Sequence, residues 1–256
     1  MNGKVRVRIG EGQSRSARTM IEREIAYEVG GKTYLGSYYA DDGLDGARPG
    51  VLVAPEGGGL TEHTRSIAQR LAAAGYATLA MDYYGGGKPL DDINQVMTRL
   101  GPWFADPTGI REIATAALSA LAAEPETDPT NLAAIGYCFG GTTALELARS
   151  GAALKAIVGF HSGLGSVRPA AGGAIRGKVL VQIGSEDPIV PPEQRAAFEA
   201  EMKAVGVDWR LILHGGVGHS FTNPNVDALG REGFRYDAAA DRRSWAAMID
   251  LFGEVF

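Results

Sequence analysis

The sequence predicts an α/β protein: a mostly parallel central sheet with helices on both faces and an antiparallel hairpin at one edge. Three observations carry this. From residue 51 onward, short unbroken apolar runs alternate with longer stretches of helical period, the pattern of strand–helix units. The runs lack the polar alternation of a half-wet strand, so both faces must be covered. Ahead of them, EIAYEV-GG-KTYLGSYYA (24–40) has two β-rich runs around Gly30-Gly31, which is hairpin chemistry. The 256 residues fit a single domain over 1–256, with residues 1–20, basic, small and polar, expected as a loose arm.

The elements follow in order. DDGLDGARPG ends the hairpin as a turn cluster. VLVAP (51–55) is the first core strand. The loop EGGG (56–59) leads into a helix from about Thr61 to Ala74, with Thr61 or Thr64 as cap and Gly75 as stop. YATLAM (76–81) is the next strand, followed by the loop DYYGGGKPL. Residues 89–105 have no single period, and a helix ending in the aromatic patch Trp103-Phe104 is one reading. GIREIATAALSALAAE (109–124) is a helix. LAAIGY (132–137) is a strand and FGGTTALELARSG a helix, so the chain turns sharply at Cys138. KAIVGF (155–160) and KVLVQIG (178–184) are strands. PPEQRAAFEAEMKAVG is a helix with its prolines in the first turn, where a missing N–H costs nothing. WRLILH (209–214) is the last strand and DAAADRRSWAAMIDLFGEVF the closing helix.

Composition narrows the function. Net charge is −5, from 25 basic and 30 acidic residues, which argues against a nucleic-acid or anionic-membrane binder. One cysteine and four histidines offer little for a zinc cluster, and Cys138 cannot form an internal disulfide. The 36 glycines, about twice the usual ~7%, imply many tight turns. The opening residues lack the apolar run of a signal peptide, and no stretch could span a bilayer. The expectation is a soluble cytoplasmic protein without metal or cofactor, a monomer or homodimer, acting on a small molecule.

Gly136-Tyr137-Cys138-Phe139-Gly140, with Gly141 after it, has the nucleophile-elbow form G-x-nucleophile-x-G. A strained strand-to-helix turn leaves no room for side chains two positions either side. The helix N-terminus beyond it favours a thiolate. Such a nucleophile needs a base, and the base an orienting carboxylate. Asp187 follows one predicted strand and His219 another, in the order nucleophile, acid, histidine; Glu186 and His214 are the rivals. An oxyanion hole would draw on the N–H of Phe139 and, from the loop VAPEGGGL, that of Gly57. Neither a P-loop nor a dinucleotide fingerprint is present.

With VLVAPEGGGLTEHTRSIAQRLAAAGYATLAMDYYGGG, IGYCFGG, GSEDPIVP and GVGHSFTNP, the chain resembles the dienelactone hydrolase family of α/β-hydrolases over about residues 25–255. The resemblance implies the α/β-hydrolase fold, a Cys138–His219–Asp187 triad, and Glu56 contacting the thiol in the resting enzyme. It also implies an acyl-thioester intermediate and a carboxylate product, as in carboxymethylenebutenolidases. The sequence departs from the family where dienelactone-cleaving members carry two arginines: the loop YYGGGKPL has only Lys88 as a cation, and the position four past His219 is Asn223. A lone lysine does not replace a bidentate arginine. A less charged ester or lactone is therefore expected, lined by Tyr83, Tyr84, Trp103 and Phe104, although these aromatics fit a core equally well. Two other readings compete, a thiol-redox protein and a non-catalytic binding protein on the same fold.

Overall fold

The computed structural model describes residues 19–256. The arm expected over 1–20 lies outside them except for its last two residues, and Met20 already belongs to a strand. The chain runs β1 (Met20–Val29), β2 (Lys32–Asp41), β3 (Arg48–Ala54), α1 (Glu62–Ala73), β4 (Ala77–Ala80), α2 (Ile93–Ala105), α3 (Thr108–Ala122) and β5 (Thr127–Tyr137). It continues through α4 (Phe139–Arg149), β6 (Ala156–Phe160), β7 (Lys178–Gly184), α5 (Pro192–Val205), β8 (Trp209–His214) and α6 (Ala238–Val255). The eight strands form one sheet in the order β1-β2-β4-β3-β5-β6-β7-β8. Strands β3 to β8 are parallel, and the β1–β2 hairpin adds antiparallel strands at the β4 edge. Gly30 and Gly31 both take positive φ, 58° and 75°, which the two-residue hairpin turn requires.

Successive strand residues point to opposite faces and so feed two cores. Leu52, Ala134, Ile157 and Val181 pack with α3, α4 and α5 on one face; Val51, Val53, Ile135 and Val158 pack with α1 and α6 on the other.

Two elements depart from the sequence reading in detail. Residues 89–105 resolve into a loop and α2, capped by Asp92, whose carboxylate accepts the Asn94 N–H at 2.9 Å. Strand β5 begins at Thr127 rather than 132, because Thr127 and Asp128 pair with Arg48 and Pro49 before a register shift at Gly50. Thr61 occupies the N-cap of α1 without a side-chain cap bond, and Thr64 lies buried inside the helix. With β3 to β8 parallel, their carboxyl ends share one edge, where open α/β sheets place ligands.

Candidate active site

Strand β5 runs directly into Cys138 and α4 starts at the next residue, so the thiol sits on a turn with no linker. The turn holds Cys138 at φ 53°, ψ −119°, a conformation that a residue bearing a side chain keeps only when its surroundings enforce it. The neighbouring glycines have steric causes. A Cβ on Gly136 would overlap the backbone of Gly140, one on Gly140 the Ala54 carbonyl, and one on Gly141 the Ser162 hydroxyl. Cys138 itself is half-buried. Its N–H donates to the Phe160 carbonyl at 2.9 Å and to Nδ1 of His161 at 3.1 Å.

His219 comes from the loop after β8 and is fully buried. Its Nδ1 lies 2.7 Å from Asp187 Oδ2, with both side chains enclosed. Asp187 is fixed in turn, its Oδ1 accepting the Ile189 N–H at 2.8 Å. A carboxylate at Nδ1 makes that nitrogen the donor and leaves Nε2 as the base. Nε2 is buried and has no well-formed hydrogen bond among the described residues. Burial disfavours the imidazolium, but the negative sulfur of Cys138 and the Asp187 carboxylate outweigh it and lift the His219 pKa to about 10. The rivals lie elsewhere. Glu186 is exposed, and His214 packs on Phe221 with ring centres 5.2 Å apart, its pKa lowered by burial first and then by Arg243.

Glu56 follows β3. Its carboxylate accepts from Ser220 Oγ at 3.2 Å and from Asn223 Nδ2 at 2.7 Å. Among the described residues it makes no hydrogen bond to the thiol, and Asn223 is committed to it. Phe139, the first residue of α4, presents an N–H with no acceptor inside the helix. The Gly57 N–H makes no hydrogen bond among the described residues, while the Gly57 carbonyl accepts from the Tyr84 hydroxyl at 2.5 Å.

A cleft of about 410 Å³ opens beyond Phe139, walled by Trp103, Phe104, Val167 and Ile189. Trp103 stacks on Phe139 at 5.8 Å and Phe104 meets it edge-on at 5.4 Å. Tyr83 and Tyr84 stand buried behind this wall: Tyr83 donates to the Pro55 carbonyl at 2.8 Å, and both line a separate cleft that shares Trp103. Lys88 is exposed and lines neither cleft. Among the described residues, the one charged residue lining the first cleft, Glu146, is neutralised by Arg111 at 2.6 Å and Arg149 at 2.9 Å.

The family model described as "Dienelactone hydrolase family" matches residues 37–256. The chain belongs to the dienelactone hydrolase family. It is thereby a hydrolase of the ester- and lactone-cleaving class on the α/β-hydrolase fold. A solved structure titled m3DLH shares 48% identity, with a TM-score of 0.89 over 93% of this chain and 99% of its own. A dienelactone hydrolase-like promiscuous phosphotriesterase from metagenomic libraries shares 42%, with a TM-score of 0.88 over the same shares. A candidate carboxymethylenebutenolidase of Salmonella typhimurium is 28% identical over 230 residues, 85% of this chain and 82% of its own.

Three residues of this site carry little signal in the sequence. His161 merely follows an apolar run, and Ser220 and Thr222 sit in a loop beside the obvious histidine. Their partners are Glu56 and His161, which only the folded sheet brings near.

Proposed function

We propose that this enzyme cleaves uncharged carboxylic esters or lactones with Cys138 as nucleophile, His219 as base and Asp187 as the group that orients the base. The observation that supports this most is the state of His219: Nδ1 is bound to a buried carboxylate, and Nε2 is buried, without a well-formed hydrogen bond among the described residues, under the influence of the Cys138 sulfur. In the reaction, the proton of the Cys138–His219 pair rests on His219 Nε2 as the Sγ thiolate bonds to the acyl carbon. The carbonyl oxygen becomes an oxyanion facing the N–H groups of Phe139 and Gly57. His219 then returns the proton to the alkoxy oxygen as the C–O bond breaks, leaving an acyl-thioester. Water, losing a proton to His219, attacks that thioester; the C–S bond breaks, the sulfur leaves as thiolate beside the protonated His219, and the carboxylic acid product departs as its carboxylate after giving its proton to solvent.

Charge defines the substrate preference. Among the described residues the cleft offers aromatic faces and no cation, and the charge of Glu146 is taken up by Arg111 and Arg149. Asn223, at the position where dienelactone-cleaving members carry arginine, is spent on Glu56. An anionic dienelactone would therefore meet no partner for its carboxylate. The test is a panel of neutral aryl esters and lactones against anionic dienelactone, with an aryl phosphotriester included because a 42%-identical relative is titled a promiscuous phosphotriesterase. The expected result is turnover of neutral esters with a burst equal to enzyme concentration. Preference for the anionic lactone would contradict the substrate assignment. Thiol-dependent redox activity without ester turnover would favour the redox reading.

A further inference from the structure

A second buried imidazole stands against the nucleophile, and the mechanism above does not use it. His161 follows β6 and is wholly inaccessible to solvent. Its N–H donates to the Gln182 carbonyl at 2.8 Å. Its Nδ1 accepts the N–H of Cys138 at 3.1 Å, and its Nε2 lies 2.8 Å from Thr222 Oγ1. A nitrogen that accepts a backbone N–H carries no proton, so the ring is the neutral Nε2–H tautomer and donates to Thr222. One ring thus joins the peptide of the nucleophile to the loop, 219–223, that carries the base. Its centre is 5.2 Å from that of His219 and 5.2 Å from that of Phe221.

The backbone singles out the same place. Among the described residues, three other than glycine have positive φ: Cys138 at 53°, His161 at 41° and Ser220 at 54°. All three belong to this site, and such strain persists only where the surroundings over-determine it. An apolar side chain would fill the position of His161 without the cost of desolvating two ring nitrogens.

We propose that His161 is a positioning residue of the active site, a neutral ring that ties the Cys138 peptide to the His219 loop and holds sulfur and base in register. A proton on its Nδ1 would point at the Cys138 N–H and would set a second cation beside the His219 imidazolium. Burial, and then the charges of His219 and His63, push its pKa well below the ordinary histidine range, which keeps the ring neutral while His219 cycles. The other titratable groups facing this cluster are Cys138, Asp187, Glu56, Tyr83 and Tyr137.

The inference rests on Cys138 being the reactive thiol, and its test needs no substrate. His161→Phe keeps a ring and loses both bonds, His161→Asn keeps an acceptor for the Cys138 N–H, and Thr222→Val removes only the far bond. The rate of Cys138 alkylation by iodoacetamide is measured against pH for each, beside kcat and KM for a neutral ester. In His161→Phe, kcat should fall ~10²-fold with KM little changed, and the alkylation midpoint should move to higher pH. Asparagine should restore part of both, and Thr222→Val should shift both in the same direction by less. Alkylation curves of His161→Phe and Thr222→Val that superimpose on wild type would overturn the proposal, whatever happens to melting temperature. If His161→Phe does not fold, Thr222→Val decides alone. A wild-type enzyme inert to every ester, with shifted curves in the variants, would sink the hydrolase reading and leave this one standing.

Discussion

At Cys138, a strained backbone and a helix N-terminus meet two imidazoles, His219 in electrostatic reach of the sulfur and His161 bonded to the backbone N–H. The two histidines differ in their partners: His219 has a carboxylate on Nδ1, whereas His214 packs on an aromatic ring and, among the described residues, has no hydrogen bond at Nε2 and no carboxylate bonded to its ring. His219→Ala should therefore lose at least ~10³ in turnover, while His214→Ala should lose far less and chiefly through stability; a reversed ranking in steady-state kinetics would exchange their roles. Folding also lifts the His219 pKa from 6.5 to about 10. Between those values the folded chain keeps a proton that the unfolded chain has lost. The associated stabilisation is complete below about 6.5, declines as pH rises and is gone above about 10. The melting-temperature gap between wild type and His219→Gln should shrink over that interval, and a widening gap would contradict the assignment. For Glu56, the family resemblance implies an action on the same sulfur through its charge. Ser220 and Asn223 hold its carboxylate among the described residues, and a carboxylate brought near a thiol disfavours the thiolate. Glu56→Gln removes the charge at constant size, and iodoacetamide should then label Cys138 faster at neutral pH. Superimposable labelling curves would leave Glu56 a structural residue.

Helix α4 serves the site twice over, presenting its N-terminus to the sulfur and anchoring its own far end by charge. Arg149 is fully buried and binds Glu146 at 2.9 Å, Glu201 at 2.7 Å and the Leu164 carbonyl at 2.7 Å. Removing one partner of a buried network leaves the others uncompensated, at a cost of ~3–5 kcal/mol. Arg149→Met should lower the stability measured by urea unfolding by about that much, and a loss below ~1 kcal/mol would mean the network is dispensable. Elements of this kind were legible where one physical signal dominates. The unbroken runs of β3, β6 and β7 and the Gly30-Gly31 turn read directly because burial on both faces and positive φ each leave a compositional mark. Helix α2 read poorly because only Val96 and Leu100 are fully buried while Ile93, Met97 and Phe104 are exposed, which blurs its apolar stripe. The start of β5 was hidden for a similar reason: polar residues Asp128 and Asn131 lie within a strand whose register shifts.

At the scale of the molecule, the parallel sheet is a device for gathering groups distant in sequence along one edge. Chain order and strand ends single out Cys138, Asp187 and His219 as candidates because each follows an apolar run, a local property of sequence, and the fold sets the last two 2.7 Å apart. Asn223 illustrates what stays hidden: it reads as a residue for substrate, but 167 positions away Glu56 takes its amide. His161 and Thr222 are concealed for the same reason, since their meaning lies in contacts between loops. On the proposed mechanism, this assembly works through a covalent acyl group on one sulfur. Enzyme mixed rapidly with a neutral chromogenic ester, quenched in acid and examined by intact-mass and peptide mass spectrometry tests it directly. The account predicts one acyl adduct per chain, on the Cys138 peptide, formed at the rate of the burst and absent from a folded Cys138→Ala variant that no longer turns over. Steady hydrolysis with no adduct, or with wild-type-like turnover in Cys138→Ala, would contradict it.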